Sequence, residues 1–203
     1  MGAPLDVSCP GAGQTESIEN LHKPSKCRQD EIRKISILQI NLNKAGAAQR
    51  ELTLELKREN AFIALVTEPF CLRQKLSGIP KHYNTIPVER GGHPRCAIFS
   101  SPTIKLHEVT QFRSRDLVVG ISNISGKKIA FISAYMDIKN VAISANLKEA
   151  IKYCKEKGYI ILLGADTNSH STRWGNEDNQ RGRKWNEFIE DESLLLHLSL
   201  IHI

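Results

Sequence analysis

The sequence predicts an α/β protein with mixed β-sheets, on three observations. Short β-branched apolar runs at residues 35–40, 61–66 and 159–163 read as buried strands. Amphipathic helical periods separate them, and a Ser125-Gly126 pair between two further apolar runs signals a hairpin. Strands interleaved with helices, plus a hairpin, define the class.

Each element follows from local chemistry. Residues 1–34 carry Pro4, Pro10, Gly11, Gly13 and Pro24 among polar residues without an apolar period, so they read as a flexible lead-in to a single domain spanning 35–203. The strand at 35–40 ends at Asn41-Leu42-Asn43, and Ala48, Leu52 and Leu56 then mark one face of a helix. The strand at 61–66 ends at Thr67-Glu68, where Pro69 stops it. Residues 75–92 read mostly as loop, followed by strands at 96–100, 117–124 and 128–135. A helix over 141–157 places Ile143, Leu147, Ala150, Ile151 and Cys154 on one face, with Gly158 as its stop. The strand at 159–163 follows, then a polar loop, a short helix marked by Trp185, Phe188 and Ile189, and a further strand beginning within 194–203.

Composition narrows the function. A chain of 203 residues with 40% hydrophobic residues can bury one good core. Its apolar runs fall far short of the roughly 20 residues that cross a bilayer. The N-terminus lacks a signal-peptide or myristoylation pattern, so an intracellular location without membrane attachment is expected. Five scattered cysteines without a Cys-x-x-Cys pair suit a reducing compartment and no zinc site. The net charge of +6 falls wholly on 35–203, which makes a polyanionic partner plausible or simply keeps the domain soluble.

The polar residues at strand ends carry the chemistry. Asn41 follows the first strand, Glu68 the second, Tyr135 the hairpin's second strand, and Asp166 with Asn168 the strand at 159–163. Sites in layered α/β folds gather at such ends. Oxygen ligands of this kind suit Mg²⁺ or Mn²⁺ and suit zinc poorly. Phosphodiester cleavage needs a hard cation, a base for water and donors for the developing charge. Glu68 is then the metal ligand with Asn41 beside it, Asp166 the base, and Asn168 a phosphate contact or a support for Asp166. Tyr135 and His170 are candidates for phosphate or leaving-group contact. Arg173, Arg181, Arg183 and Lys184 either line a nucleic-acid groove or form a solvated face. Taken singly, Asn41 reads as a turn former, Glu68 as a loop carboxylate and residues 166–169 as an Asx-turn. Their ordered co-occurrence favours a site.

These residues resemble the endonuclease/exonuclease/phosphatase superfamily, and more closely its non-LTR (LINE-type) retrotransposon branch. Ile37-Leu38-Gln39-Ile40-Asn41-Leu42-Asn43 is similar to that branch's opening strand, and Ala64-Leu65-Val66-Thr67-Glu68-Pro69 to its metal-binding segment. Ser133-Ala134-Tyr135 matches the catalytic Tyr segment. Most specific is Leu163-Gly164-Ala165-Asp166-Thr167-Asn168-Ser169-His170, continuing through Trp174-Gly175-Asn176 to Arg181-Gly182-Arg183. The resemblance implies two mixed sheets packed as a sandwich flanked by helices, as in deoxyribonuclease I. It implies Mg²⁺-dependent nicking of DNA, a nuclear setting, and in a full element a reverse transcriptase domain on the same polyprotein.

The resemblance also implies a later Ser-Asp or Ile-Asp segment and a terminal Asp-His pair. Neither is found after Asp191 and Glu192, and neither His197 nor His202 follows an Asp. The expectation is therefore an incomplete domain lacking its final strands. Three functions remain open: a DNA endonuclease, a catalytically impaired remnant or DNA-binding module, and a phosphatase or phosphodiesterase of the same fold.

Overall fold

In the computed structural model, which describes residues 34–59, 61–87 and 93–197, the second apolar run forms β2 (Phe62–Thr67), buried along its whole length. A strand apolar on both faces belongs inside a sheet with both faces covered. Accordingly β1 (Ser36–Asn41) pairs with β2 in parallel and β6 (Cys96–Ser100) pairs with it antiparallel, with β5 (Asn84–Ile86) beyond β6. Parallel neighbours need a crossover, which α1 (Gly46–Leu56) supplies.

The second sheet is built on the Ser125-Gly126 hairpin. Both turn residues have left-handed backbone, φ 50° and 78°, as a tight hairpin turn requires. The hairpin joins β8 (Leu117–Ile124) to β9 (Lys127–Tyr135), and β10 (Ile160–Asp166) adds in parallel to β9 after the crossover α2 (Ala145–Glu156). β7 (His107–Glu108) completes the order β10-β9-β8-β7. Ser144 caps α2 by accepting from the Leu147 amide, and Asn179 caps α3 (Gln180–Asp191) by accepting from that of Gly182.

Alternation along β2 divides the core. Ile63 and Leu65 pack with Ile98, Val118 and Phe131 between the sheets, while Phe62, Ala64 and Val66 pack beneath Leu52 and Leu56 of α1. On the far side, Leu147 and Ile151 of α2 and Trp185 and Phe188 of α3 cover Leu117, Val119 and Ile132. The layers are helix, sheet, sheet, helix: the deoxyribonuclease I-like sandwich. The sheets approach closely at Gly164, where a Cβ would stand 2.8 Å from that of Leu65 and 2.9 Å from Cγ of Gln39.

Some elements differ from the sequence reading. The stretch read as loop contains β5 and β4 (Lys75–Leu76), which pairs with β3 (Cys71–Leu72); β7 was also not anticipated. Strands of two or three residues are too short to display a period. The helix expected from 141 starts at 145, because Ser144 takes the backbone out of the helix to serve as its cap. Residues 194–197 form no strand; the rest of that expected strand, 198–203, lies outside the described residues, as does the lead-in through residue 33. Cys71, Cys96 and Cys154 are free thiols, and no helix among the described residues is long and apolar enough to cross a membrane.

Candidate active site

Two parallel strand pairs bring four strand ends together. In the first sheet Asn41 is the register partner of Thr67, which places Glu68 one residue beyond; in the second, Tyr135 is the partner of Asp166. A hydrogen bond from Asn41 Nδ2 to Asp166 Oδ2, 2.6 Å, joins the two sheets at these ends. The other carboxylate oxygen of Asp166 accepts from the Asn168 amide at 3.2 Å, and Asn168 Nδ2 donates to the Met136 carbonyl at 3.1 Å. The Asx-turn and the cluster are therefore one structure: the turn fixes the carboxylate.

Glu68 is held differently. Its φ of 47° turns the chain sharply out of β2, its amide donates to the Arg95 carbonyl at 2.8 Å, and its carbonyl accepts from the Lys44 amide at 2.8 Å. The Lys44 ammonium lies 3.1 Å from Glu68 Oε1; the Glu68 side chain is 13% exposed and that of Lys44 64%. Asn41 Oδ1 accepts from the Asn43 amide at 2.7 Å and retains a second lone pair. Among the described residues no group of three or more His, Cys, Asp or Glu gathers as a metal cage. Glu68, Asn41 and Asp166 offer hard oxygen donors, a set that fits Mg²⁺, which takes one or two carboxylates and keeps several waters.

Tyr135 packs against the core between the sheets, and the Arg95 guanidinium lies over its ring at 4.5 Å from the centroid. Its hydroxyl bonds to no described residue. Arg95 is forked onto Asp116, at 2.5 and 2.6 Å, and reaches Asp137 at 2.7 Å. This pairing holds Arg95 more firmly protonated than an ordinary arginine. The Lys139 amide, and after it Arg95, keeps the Asp137 carboxyl below its usual range. Nothing in the sequence signals this trio, because its members are separated along the chain and none sits in a recognisable motif.

A cleft of about 580 Å³ opens beside the tie between the sheets, lined by Asn41, Asp166, Asn168 and the exposed His170, with Trp174 and Asn176 at its side. Glu68 and Tyr135 do not line it. A larger hollow of about 670 Å³ runs along β10 beneath residues 194–196; apart from the paired Lys155 and Glu192 it is walled mainly by apolar side chains.

Residues 129–200 match the family model described as endonuclease-reverse transcriptase, a stretch that contains Tyr135, Asp166, Asn168 and His170. Among solved structures the chain is similar to the endonuclease domain of TRAS1, a telomere-specific non-LTR retrotransposon, with a TM-score of 0.63 and 24% identity over 77% of this chain and 69% of that one. The fold is that of a retrotransposon endonuclease. No curated protein matches. The family model and the solved fold both support the resemblance read from the motifs.

Within this endonuclease fold the four basic residues have separate surroundings, and none lines the cleft. Arg181 donates to the carbonyls of Thr167, Asn140, Met136, Asp137 and Val141, between 2.8 and 3.3 Å, and so clamps the loops after β9 and β10 together. Beside it Gly182 meets the His170 carbonyl so closely that a Cβ would overlap the oxygen. Arg173 reaches Glu190 at 3.4 Å, Lys184 borders a depression with Val141 and Lys148, and Arg183 is exposed. The indole nitrogens of Trp174 and Trp185 donate to the Ser169 and Ala142 carbonyls, which makes both rings parts of the packing.

Proposed function

We propose that residues 35–203 form a DNA endonuclease domain that hydrolyses a phosphodiester with the help of Mg²⁺, with Mn²⁺ able to substitute. The observation that carries this reading is the Asn41–Asp166 hydrogen bond, which sets one amide and one carboxylate at the common end of strands that also bear Glu68 and Tyr135. Glu68 and Asn41 would hold the cation, whose chemistry is to offset charge on the phosphoryl oxygens and lower the pKa of water. Asp166 accepts the proton of the attacking water, its orientation fixed by Asn41 and by the Asn168 amide. The unengaged Tyr135 hydroxyl donates to a phosphate oxygen, and His170, exposed at the cleft, contacts the phosphate or leaving group. Arg173, Arg183 and Lys184 supply phosphate contacts from the surface, while Arg181 acts by shaping the loops. In a full element such a domain nicks a target in the nucleus for a linked reverse transcriptase.

The test is incubation of the full chain with supercoiled plasmid in Mg²⁺, in Mn²⁺ and in EDTA, beside Glu68→Ala and Asp166→Ala. Metal-dependent nicking that both substitutions abolish supports the reading, and nicking unchanged by Asp166→Ala would sink it. A parallel incubation with phosphoinositides separates a phosphodiesterase of the same fold.

One observation favours a binding-only module: His170, the sole histidine lining the cleft, bonds to no carboxylate among the described residues. That module would retain DNA, with affinity falling as salt rises, and would not nick it.

A further inference from the structure

Arg95 bridges the two halves of the site, by its backbone on one side and its side chain on the other, without belonging to either motif. It immediately precedes β6 of the first sheet, and its carbonyl accepts from the Glu68 amide at 2.8 Å. Its side chain crosses to the second sheet, where Asp116 precedes β8 and Asp137 follows β9. Only 12% of that side chain is exposed. Each nitrogen of the guanidinium donates one hydrogen to a carboxylate, which commits the group to Asp116 and Asp137. Its face lies on the Tyr135 ring at 4.5 Å from the centroid.

Three further contacts bear on Tyr135 itself. The Tyr135 amide donates to the Asp116 carbonyl at 2.9 Å, so the residue that fixes Arg95 also fixes the tyrosine's backbone. The Arg95 amide donates to the Arg115 carbonyl at 2.7 Å, next to Asp116. Tyr135 also packs against the core between the sheets. The guanidinium and the core packing together restrict how the ring can turn. A planar fork held by two carboxylates does this better than an ammonium, which lacks both the bidentate geometry and the flat face.

We propose that Arg95 is the positioning residue of this site: pinned by Asp116 and Asp137, it clamps the Tyr135 ring so that the phenol meets the scissile phosphate, and its carbonyl anchors Glu68 at a fixed distance. Arg95 touches neither phosphate nor metal; it acts through Tyr135 and Glu68. This rests on the nuclease reading above and adds to it the device that sets the geometry.

The experiment uses the full chain as wild type, Arg95→Lys, Arg95→Met, Tyr135→Phe and the Arg95→Met/Tyr135→Phe pair. Plasmid nicking is measured in Mg²⁺, and tyrosine-ring ¹³C–¹H spectra are recorded on each. Arg95→Met is expected to lower kcat by about tenfold or more while KM for DNA stays within about threefold, the pattern of lost transition-state geometry. Arg95→Lys, which keeps the charge, is expected to recover little. In the pair, the two losses should fall well short of multiplying, because the clamp acts by placing the hydroxyl that Tyr135→Phe removes. The Tyr135 signal, identified by its absence in Tyr135→Phe, should move in both Arg95 variants while those of Tyr83, Tyr153 and Tyr159 stay. Full multiplication of the losses, or an unmoved Tyr135 signal in a folded variant, would overturn the proposal. Should Arg95→Met fail to fold, Asp137→Asn, which removes one arm of the clamp, is read by the same criteria. If the wild type nicks nothing, the nuclease reading fails, and the Tyr135 signal still decides whether Arg95 holds the ring.

Discussion

Asn41 Nδ2 lies 2.6 Å from Asp166 Oδ2, and this one hydrogen bond ties the carboxyl ends of β1 and β10, strands of different sheets. Its donor is a neutral amide and its acceptor a carboxylate, so its effect depends on the charge state of both partners. Asn41→Ala should lower Tm by about 2–4 °C, the shift for roughly 1 kcal/mol in a domain of this size. Asn41→Asp sets two carboxylates against each other, and should melt lower than wild type in EDTA yet gain more from added Mg²⁺. Thermal melts with and without the ion decide it; an equal gain in both proteins would remove Asn41 from the metal site.

The Lys44 ammonium occupies Glu68 Oε1 at 3.1 Å, where it competes with any cation for the carboxylate. Lys44→Ala is expected to tighten Mg²⁺ binding by about threefold to tenfold, the size of a partly exposed ion pair of about 1 kcal/mol. Isothermal titration measures it. Weaker binding in the variant would mean that Lys44 orients Glu68 for the metal.

Gly182 sits in the first turn of α3 against the His170 carbonyl, with no room for a Cβ. Gly182→Ala must push α3 off the loop that carries Asp166 to His170. A loss of about 1–3 kcal/mol in a urea melt is expected, the range for overpacking a tight contact. A variant as stable as wild type would show that the loop yields at little cost.

Asp137 is held below its usual range chiefly by the Lys139 amide and secondly by Arg95. A depressed folded pKa contributes stability that is fully present above the unfolded value, about 3.9, and is lost as pH falls through the folded one. Asp137→Asn should therefore be less stable than wild type at pH 7, and the gap should close below about pH 4. Urea melts from pH 7 to pH 3 measure the gap, and one that stays constant would sever it from this carboxyl.

Much of this fold was legible because its central strands are apolar and its helices amphipathic. β2, β6 and β8 lie where the runs at 61–66, 96–100 and 117–124 put them, and Gly158 ends α2 with a left-handed backbone, φ 66°. β5 and β7 were hidden because two or three residues cannot express a pattern. At the site, the sequence placed Asn41, Tyr135 and Asp166 at strand ends, and register and one hydrogen bond bring those ends together. Arg181 and Gly182 were legible as a motif and not as a mechanism: the spacing suggested a surface for phosphates, while the contacts are with backbone carbonyls. The Arg95 trio was invisible, since ion pairs across sheets leave no periodicity.

Glu68 and Asn168 both have left-handed backbone, with φ 47° and 45°. Asparagine visits this region with modest penalty; glutamate does so less willingly, at a cost of order 1 kcal/mol. In a saturation library scored for folding alone, glycine at position 68 should therefore outperform the native residue, while valine and isoleucine fare worst. Scored for DNA cleavage, that ranking should invert in favour of glutamate, which would mark this torsion as a place where the proposed reaction and the fold make opposite demands.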